Sequence, residues 1–219
     1  GEAVLKAKED LVLSGATIFE ETIIYLEPQA RIKWHFHDGD FIFAGQNICS
    51  IDGDLIQILK AERVALNFLG RLSGIASLTR LFVKEVSGTT TKILDTRKTT
   101  PLLRDLEKRA VQHGGGYNHR FNLSEAVLLK DNHISLMGGI TKAVQRLRQH
   151  CSLPVEVEAS DLEQVKECVA LEVQRILLDN MSNDVLKLAL QLIPKNIKTE
   201  ASGNMNIPRI RSVAELGVD

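Results

Sequence analysis

Long apolar runs are missing from this chain. Nowhere in its 219 residues does an uncharged apolar stretch approach the roughly 20 residues that cross a bilayer, and the N-terminal residues hold no short apolar block of the signal-peptide kind. Cysteine is scarce as well: Cys49, Cys151 and Cys168 are odd in number and far apart. That excludes a disulfide framework, fits no zinc site, and points to free thiols in a reducing compartment, expected to be the cytoplasm. On that expectation the glycosylation sequence Asn122-Leu-Ser124 is a chance match. Excess charge of either sign is lacking too, with 27 Lys and Arg against 28 Asp and Glu, so neither a nucleic acid nor a membrane surface is expected as the main partner. The glycines spell neither GK[ST] nor G-x-G-x-x-G, which removes the Walker loop and the dinucleotide fingerprint. What is present is 44% apolar and 25% charged residues, enough for a good core and for two domains.

The first 53 residues alternate in the manner of strands. Val4-Lys6-Lys8 stand against Leu5-Ala7, Ile32-Trp34-Phe36 against Lys33-His35-His37, and two apolar runs follow at 41–43 and 48–51. Gly15, Asp38-Gly39, Gly45 and Asp52-Gly53 supply turns, and 16–26 reads as a helix, so this part is expected to be a small sheet with one helix. His35 and His37 share a strand face and, with Asp38, could be drawn as a metal site. No further ligand is evident, which favours a plain exposed face. From 55 to 69 the pattern becomes helical, with Leu55, Leu59 and Leu66 as its apolar stripe and Arg63 inside it. Arg63 either snorkels to the surface or presents its guanidinium to an anion, in its own site or a neighbour's. The stretch Arg71 to Ala76 is expected to break the helix and 78–86 to resume it.

After Gly88, strands and helices alternate. Strands are expected near 91–94, 126–129, 155–157, 176–178 and 197–201, with helices near 102–113, 140–149, 161–169 and 183–193. Crossovers of that length imply parallel neighbours in a barrel or doubly wound sheet. Every strand ends in polar residues: Asp95 to Lys98, Lys130 to Asn132, Glu156 and Glu158, Asp179-Asn180, and Glu200 with Ser202-Gly203. A barrel with its site at the carboxyl rim accounts for all five together. Thr100 and Pro101 read as N-cap and first helical position, and Lys108, Arg109 and His113 as cations suited to a helix C-terminus. Gly114-Gly115-Gly116 reads as a terminator and loop that delivers Asn118, His119 and Arg120 to the rim.

Between Asp95 and Lys130 there are seven Lys or Arg against four Asp or Glu, a local surplus in a chain of net charge −1. Arg97, Lys98, His119, Arg120 and Lys130, with Arg63 as a possible sixth, would converge on an anionic ligand, since arginine grips carboxylates and phosphates through two parallel bonds. Glu158 and Asp179, on successive strand ends, could hold a hard divalent ion such as Mg²⁺; either alone could instead form a structural ion pair.

Six motifs, in order, resemble those of the quinolinate phosphoribosyltransferase family: Asp95-Thr-Arg-Lys-Thr99, Gly114-Gly-Gly-Tyr-Asn-His-Arg120, Leu129-Lys-Asp-Asn-His133, Val155-Glu-Val-Glu158, Leu178-Asp-Asn180 and Glu200-Ala-Ser-Gly203. The resemblance implies an α/β protein with an N-terminal α/β sandwich at 1–74 and an incomplete α/β barrel at 75–219, the family pattern running past both ends of the chain. It implies phosphoribosyl transfer from 5-phosphoribosyl 1-pyrophosphate to quinolinate with loss of carbon dioxide, giving nicotinate mononucleotide and pyrophosphate for NAD synthesis. Carried over by motif, Arg63, Arg97, Lys98, His119, Arg120 and Lys130 would bind quinolinate. Lys98, Lys130, Glu158, Asp179, Ser202 and Gly203 would bind the ribosyl donor, with Ser202 and Gly203 at its 5-phosphate. Lys98, Lys130, Glu158 and Asp179 would be catalytic, and Glu158 and Asp179 would hold Mg²⁺, directly or through water. Arg63 matches an arginine lent to the neighbouring subunit, which implies at least a homodimer. Two positions depart from the pattern: Leu102 and Asn204 stand where glycine is frequent. A phosphosugar-binding paralogue without quinolinate activity, a Schiff-base aldolase using Lys130, and a non-catalytic regulatory protein are the competing readings.

Overall fold

The computed structural model describes every residue from Gly1 to Asp219. Packing divides the chain into two units, residues 1–84 with 93–119, and residues 85–92 with 120–219. The short strands expected at the start are present as β1 (Glu2–Lys6), β3 (Arg31–Trp34), β4 (Phe41–Ile42) and β5 (Asn47–Asp52), joined by a two-residue strand the pattern does not announce, β2 (Leu11–Val12), with α1 (Ala16–Leu26) after it. An antiparallel sheet runs in the order β1-β5-β3, and β2 and β4 form a separate ribbon. Their inward residues join α1 in a core that includes Phe19, Ile23, Ile42, Ile48 and Ile51. Trp34 meets Phe19 edge to face at 5.7 Å and donates from Nε1 to Glu20. His35 and His37 are exposed, and Asp38 accepts from the Ala16 N–H at 3.0 Å, so it satisfies the start of α1.

The expected break after Leu69 does not occur. Helix α2 (Leu55–Glu85) is continuous over 31 residues. Gly70 and Gly74 have open space where a side chain would be, and each costs about 1 kcal/mol in a helix interior. Burial of Leu72, Ser73 and Ala76 outweighs that, a fully buried leucine alone being worth about 1.5–3 kcal/mol. Ser73 Oγ also accepts from the Ser14 N–H at 3.1 Å and donates to the Ser14 carbonyl at 3.2 Å. The buried stripe is Ile58, Ala61, Ala65, Leu69, Leu72 and Ala76, displaced from the expected one: Leu55 and Leu59 are exposed.

The rest of the first unit is α3 (Arg104–His113) with the segments flanking it. Its N-cap is Leu103, not Thr100, because residues 100–103 form a turn closed by the Leu103 N–H on the Thr100 carbonyl at 3.0 Å. Thr100 serves differently: its N–H and hydroxyl engage Glu107 and Arg71. Leu102 in that turn has φ 68 and is fully exposed. No strand forms at 91–94; a single parallel bridge joins Leu94 to Tyr117, made by the Tyr117 N–H on Ile93 and the Asp95 N–H on Tyr117. The glycines after α3 do more than end it. A Cβ on Gly114 would lie 2.3 Å from the Ala76 carbonyl oxygen, so glycine there permits contact with α2.

The second unit is a parallel sheet, β6 (Val127–Leu129), β7 (Val155–Ala159), β8 (Arg175–Asp179) and β9 (Lys198–Ser202), in that order and not closed into a barrel. Between and after the strands come α4 (Asp131–Met137), α5 (Ile140–His150), α6 (Leu162–Ala170), α7 (Asn183–Leu192) and α8 (Ile207–Ala214). Asp161, Ser182 and Asn206 cap α6, α7 and α8 through side-chain oxygens. Neither α4 nor α8 is legible in the apolar pattern. Strand alternation places Leu129, Val155, Val157, Ala159, Ile176 and Leu178 on one face, in a core with Val144, Val165 and Leu186 of the helices. Cys49 and Cys168 are buried in the two cores, and burial is the main cause that pushes each thiol up to about 12. No helix is long and apolar enough to cross a membrane.

Candidate active site

The other face of the parallel sheet is polar. The register aligns Glu156, Arg175 and Lys198 in one row, Glu158, Leu177 and Glu200 in the next, and Asp179 with Ser202 at the carboxyl end. Lys130 directly follows β6 in step with Glu158, and its Nζ lies 3.9 Å from Glu158 Oε2. Arg175 Nη1 reaches Glu200 Oε2 at 3.4 Å. A parallel sheet ordinarily buries both faces in apolar residues, so a face carrying this many charges is built for something other than core packing. Lys130 is also the N-cap of α4, and its N–H donates to His133 Nδ1 at 3.1 Å. That cap fixes the direction in which the lysine leaves the strand.

Asp179 is held on both oxygens. Ser202 Oγ donates to Oδ1 at 2.5 Å, and Asn180 Nδ2 donates to Oδ2 at 2.7 Å. Asn180 has φ 55, a left-handed conformation that asparagine tolerates, and its N–H donates to the Ser202 carbonyl at 3.0 Å. Gly203, at φ +84, lies so close that an added Cβ would be 2.1 Å from Asn180 Oδ1. Of the residues expected on the ribosyl-donor side, the structure therefore brings Lys130 to Glu158, and Asp179 to Ser202 and, through Asn180, to Gly203. Arg120, in the same unit, donates from Nη1 to the Ala126 carbonyl at 2.8 Å, so its backbone partner aims it from the loop before β6.

The first unit carries Arg63, Arg97, Lys98 and His119. Arg63 is exposed on α2, among the exposed Ile56, Leu59 and Val64. Lys98 is exposed and its N–H donates to Thr96 Oγ1. Arg97 has its carbonyl fixed by Arg104 Nη2 at 3.3 Å, while its own Nε is buried and makes no hydrogen bond in the protein. An orphaned guanidinium N–H is costly unless a ligand oxygen supplies the missing acceptor. His119 is placed by its backbone: its N–H donates to Asp95 Oδ1 at 2.9 Å, and its carbonyl accepts from Lys108 Nζ at 2.9 Å. Lys108 and Asp95 thus correct the sequence reading. Lys108, read as a cation suited to the helix C-terminus, is 1% exposed and paired with Asp95, which is therefore not a rim acid. With its amide oriented to donate, Asn118 adds a bond to Asp95 Oδ2 at 2.6 Å.

Two residues of this arrangement escaped the sequence. Asn180 had a signal, an asparagine directly after a strand-end acid, but nothing assigned it a role. Arg209 on α8 had none of its own; Asn206 and Pro208, an N-cap and an early helical proline, could have revealed its helix.

Comparison with known proteins agrees with this architecture. Residues 75–219 match the family described as quinolinate phosphoribosyl transferase, C-terminal domain, and residues 1–73 match the N-terminal domain. The probable nicotinate-nucleotide pyrophosphorylase [carboxylating] of Synechocystis is 42% identical, over 100% of this chain and 76% of its own length. A similarly named Bacillus subtilis protein is 40% identical over the same shares. The crystal structure of nicotinate-nucleotide pyrophosphorylase from Ehrlichia chaffeensis superimposes with a TM-score of 0.95 at 42% identity, covering 100% of this chain and 80% of that one.

Proposed function

Because this chain belongs to the quinolinate phosphoribosyltransferase family, we propose that it transfers the phosphoribosyl group of 5-phosphoribosyl 1-pyrophosphate to quinolinate with loss of carbon dioxide, as a pentosyltransferase of NAD synthesis. The observation that carries the reading is the polar face of the parallel sheet, where Lys130, Glu158, Asp179 and Ser202 stand together at the carboxyl ends of four strands.

Quinolinate carries two carboxylates, and Arg97, His119, Arg120 and Lys130 supply cations for them, with Lys98 between the pyridine acid and the ribosyl donor. The buried Nε of Arg97 is a donor waiting for an acceptor of this kind. As the bond to pyrophosphate lengthens, positive charge grows on the ribose and negative charge on the leaving group. Glu158 or Asp179 faces the first and Lys130 the second, which is electrostatic preorganisation. The ring nitrogen then attacks the anomeric carbon of a donor held in line. Breaking the C2–carboxylate bond then releases carbon dioxide and leaves its electron pair on C2, stabilised by the adjacent positive nitrogen until a proton from water takes the carboxylate's place, so no organic cofactor is required. Ser202 and Gly203 meet the 5-phosphate.

Glu158 and Asp179 are hard oxygen donors on adjacent strands of one face, a set that suits Mg²⁺ together with water and substrate phosphates. Bound there, Mg²⁺ would offset the charge of the pyrophosphate. Lys130 faces a carboxylate rather than the apolar or cationic pocket that activates Schiff-base lysines, which weighs against an aldolase. We further propose at least a homodimer in which Arg63 serves the partner's site. Its exposed apolar neighbours on α2 suit coverage by a second copy. The free thiols suit the cytoplasm or another reducing compartment.

The test is release of carbon dioxide from carboxyl-labelled quinolinate, with and without the ribosyl donor. Donor-dependent release supports the reading; an equal rate without donor, or none with it, overturns it.

A further inference from the structure

The turns after β8 and β9 are joined by one guanidinium. Arg209, in the first turn of α8, donates from Nη2 to the Met181 carbonyl at 2.6 Å, from Nη1 to the Gly203 carbonyl at 3.2 Å and from Nε to Asn183 Oδ1 at 3.3 Å. Its own N–H is held by Asn206 Oδ1 at 3.0 Å, so the side chain leaves from a capped helix end. Arg209 therefore fixes Gly203, and Gly203 lies against the amide of Asn180. Asn204 Nδ2 steadies that amide at 3.3 Å from Oδ1. The amide in turn orients Asp179 through Oδ2, while Ser202 holds Oδ1.

One hydrogen bond on each oxygen fixes the rotation of a carboxylate about its last torsion. It still leaves lone pairs on both oxygens for a ligand. A carboxylate oriented in advance spends no binding free energy on being ordered when the ligand arrives. We infer that Asn180 and Arg209 are positioning residues: Asn180 orients Asp179 directly, and Arg209 locks the two turns so that Asp179, Ser202 and Gly203 meet a sugar phosphate with its divalent ion in one geometry. The inference rests on the proposed function in taking those three residues as the ribosyl-donor side.

Two variants isolate the effect. Asn180→Gly keeps the left-handed backbone and removes the amide; Arg209→Ala removes the clamp. In the full-length protein, affinity for 5-phosphoribosyl 1-pyrophosphate with Mg²⁺ is measured by calorimetry, alongside KM for each substrate and thermal stability. Each variant is expected to weaken donor binding by roughly 10-fold, in line with the 10–100-fold effect of residues that orient a ligand-binding group, with KM for quinolinate within about twofold of wild type. Millimolar guanidinium is expected to restore donor affinity to Arg209→Ala and not to Asn180→Gly. A merely structural role would lower thermal stability while leaving donor affinity unchanged in the folded protein, and that outcome overturns the proposal. Asp179→Asn separates the premise from the inference. If it leaves donor affinity unchanged, the assignment of Asp179 falls and the positioning claim with it. If it weakens binding while both positioning variants bind as wild type, the positioning claim alone falls.

Discussion

Lys108 Nζ stands 2.5 Å from Asp95 Oδ1, with the two side chains only 2% and 6% exposed, and the same ammonium holds the carbonyl of His119. This buried pair is a scaffold for His119, a proposed quinolinate residue, because Asp95 Oδ1 also receives the His119 N–H. Removing one partner strands the other charge without solvent. Lys108→Met is expected to cost about 3–5 kcal/mol by chemical denaturation, and to raise KM for quinolinate more than KM for the donor by releasing His119. Equal stability of variant and wild type would contradict the assignment.

Leu102 and Asn204 both have left-handed backbone, with φ 68 and 52. Asparagine accepts that conformation easily and a bulky aliphatic residue does not. Since Leu102 is fully exposed, it has no packing to lose. Leu102→Gly is expected to raise stability by about 0.5–1 kcal/mol, the relief of strain less the extra freedom glycine gives the unfolded chain. The denaturation midpoint should rise with unchanged slope.

Glu107 gives a pH signature. Burial by itself would raise its carboxyl, but hydrogen bonds from Arg71 and from the hydroxyl and N–H of Thr100, with the Arg71 charge, hold it below the ordinary value. A lowered folded value adds stability above the unfolded pKa of about 4.3, and that contribution fades as pH falls through the folded value. Glu107→Gln should therefore be less stable than wild type at pH 7, with the gap closing below about pH 4. A gap that stays constant down to pH 3 would remove the carboxylate from the account.

At the site itself, Arg120→Ala or Lys130→Ala is expected to lower activity at least 100-fold, about 2.7 kcal/mol of barrier. Quinolinate-dependent pyrophosphate release that survives both changes would show the site to be elsewhere.

Most strands and most helices could be read from apolar period alone, since 155–157 or 183–193 carries its pattern without help from distant residues, but 91–94 forms only a bridge and β2 gave no signal. The break expected in α2 failed because local propensity was weighed without the burial of Leu72 and Ser73, which only tertiary packing supplies. Lys108 follows the same rule: a lysine near a helix end shows no buried role until its partner 13 residues earlier is placed beside it. The candidate site was legible as motifs, Asn180 among them, whereas Arg209 reaches backbone carbonyls of two turns, which leave no pattern in residue type.

Gly114 draws the same limit. A methyl group there would press on the Ala76 carbonyl oxygen at 2.3 Å, which neither helix can yield without moving its backbone. Gly114→Ala is expected to cost about 1–3 kcal/mol or more by denaturation. A variant as stable as wild type would show that this contact is loose.

In β7 and β9, odd-numbered residues face the core and even-numbered residues the polar side; in β8 the parity is reversed. Chemistry and foldedness are thus written on interleaved positions of one ribbon. Side chains on the reactive surface can be exchanged singly at little cost to the fold. Loss or gain of one residue within a strand trades the two alphabets at once, turning acids inward and valines outward.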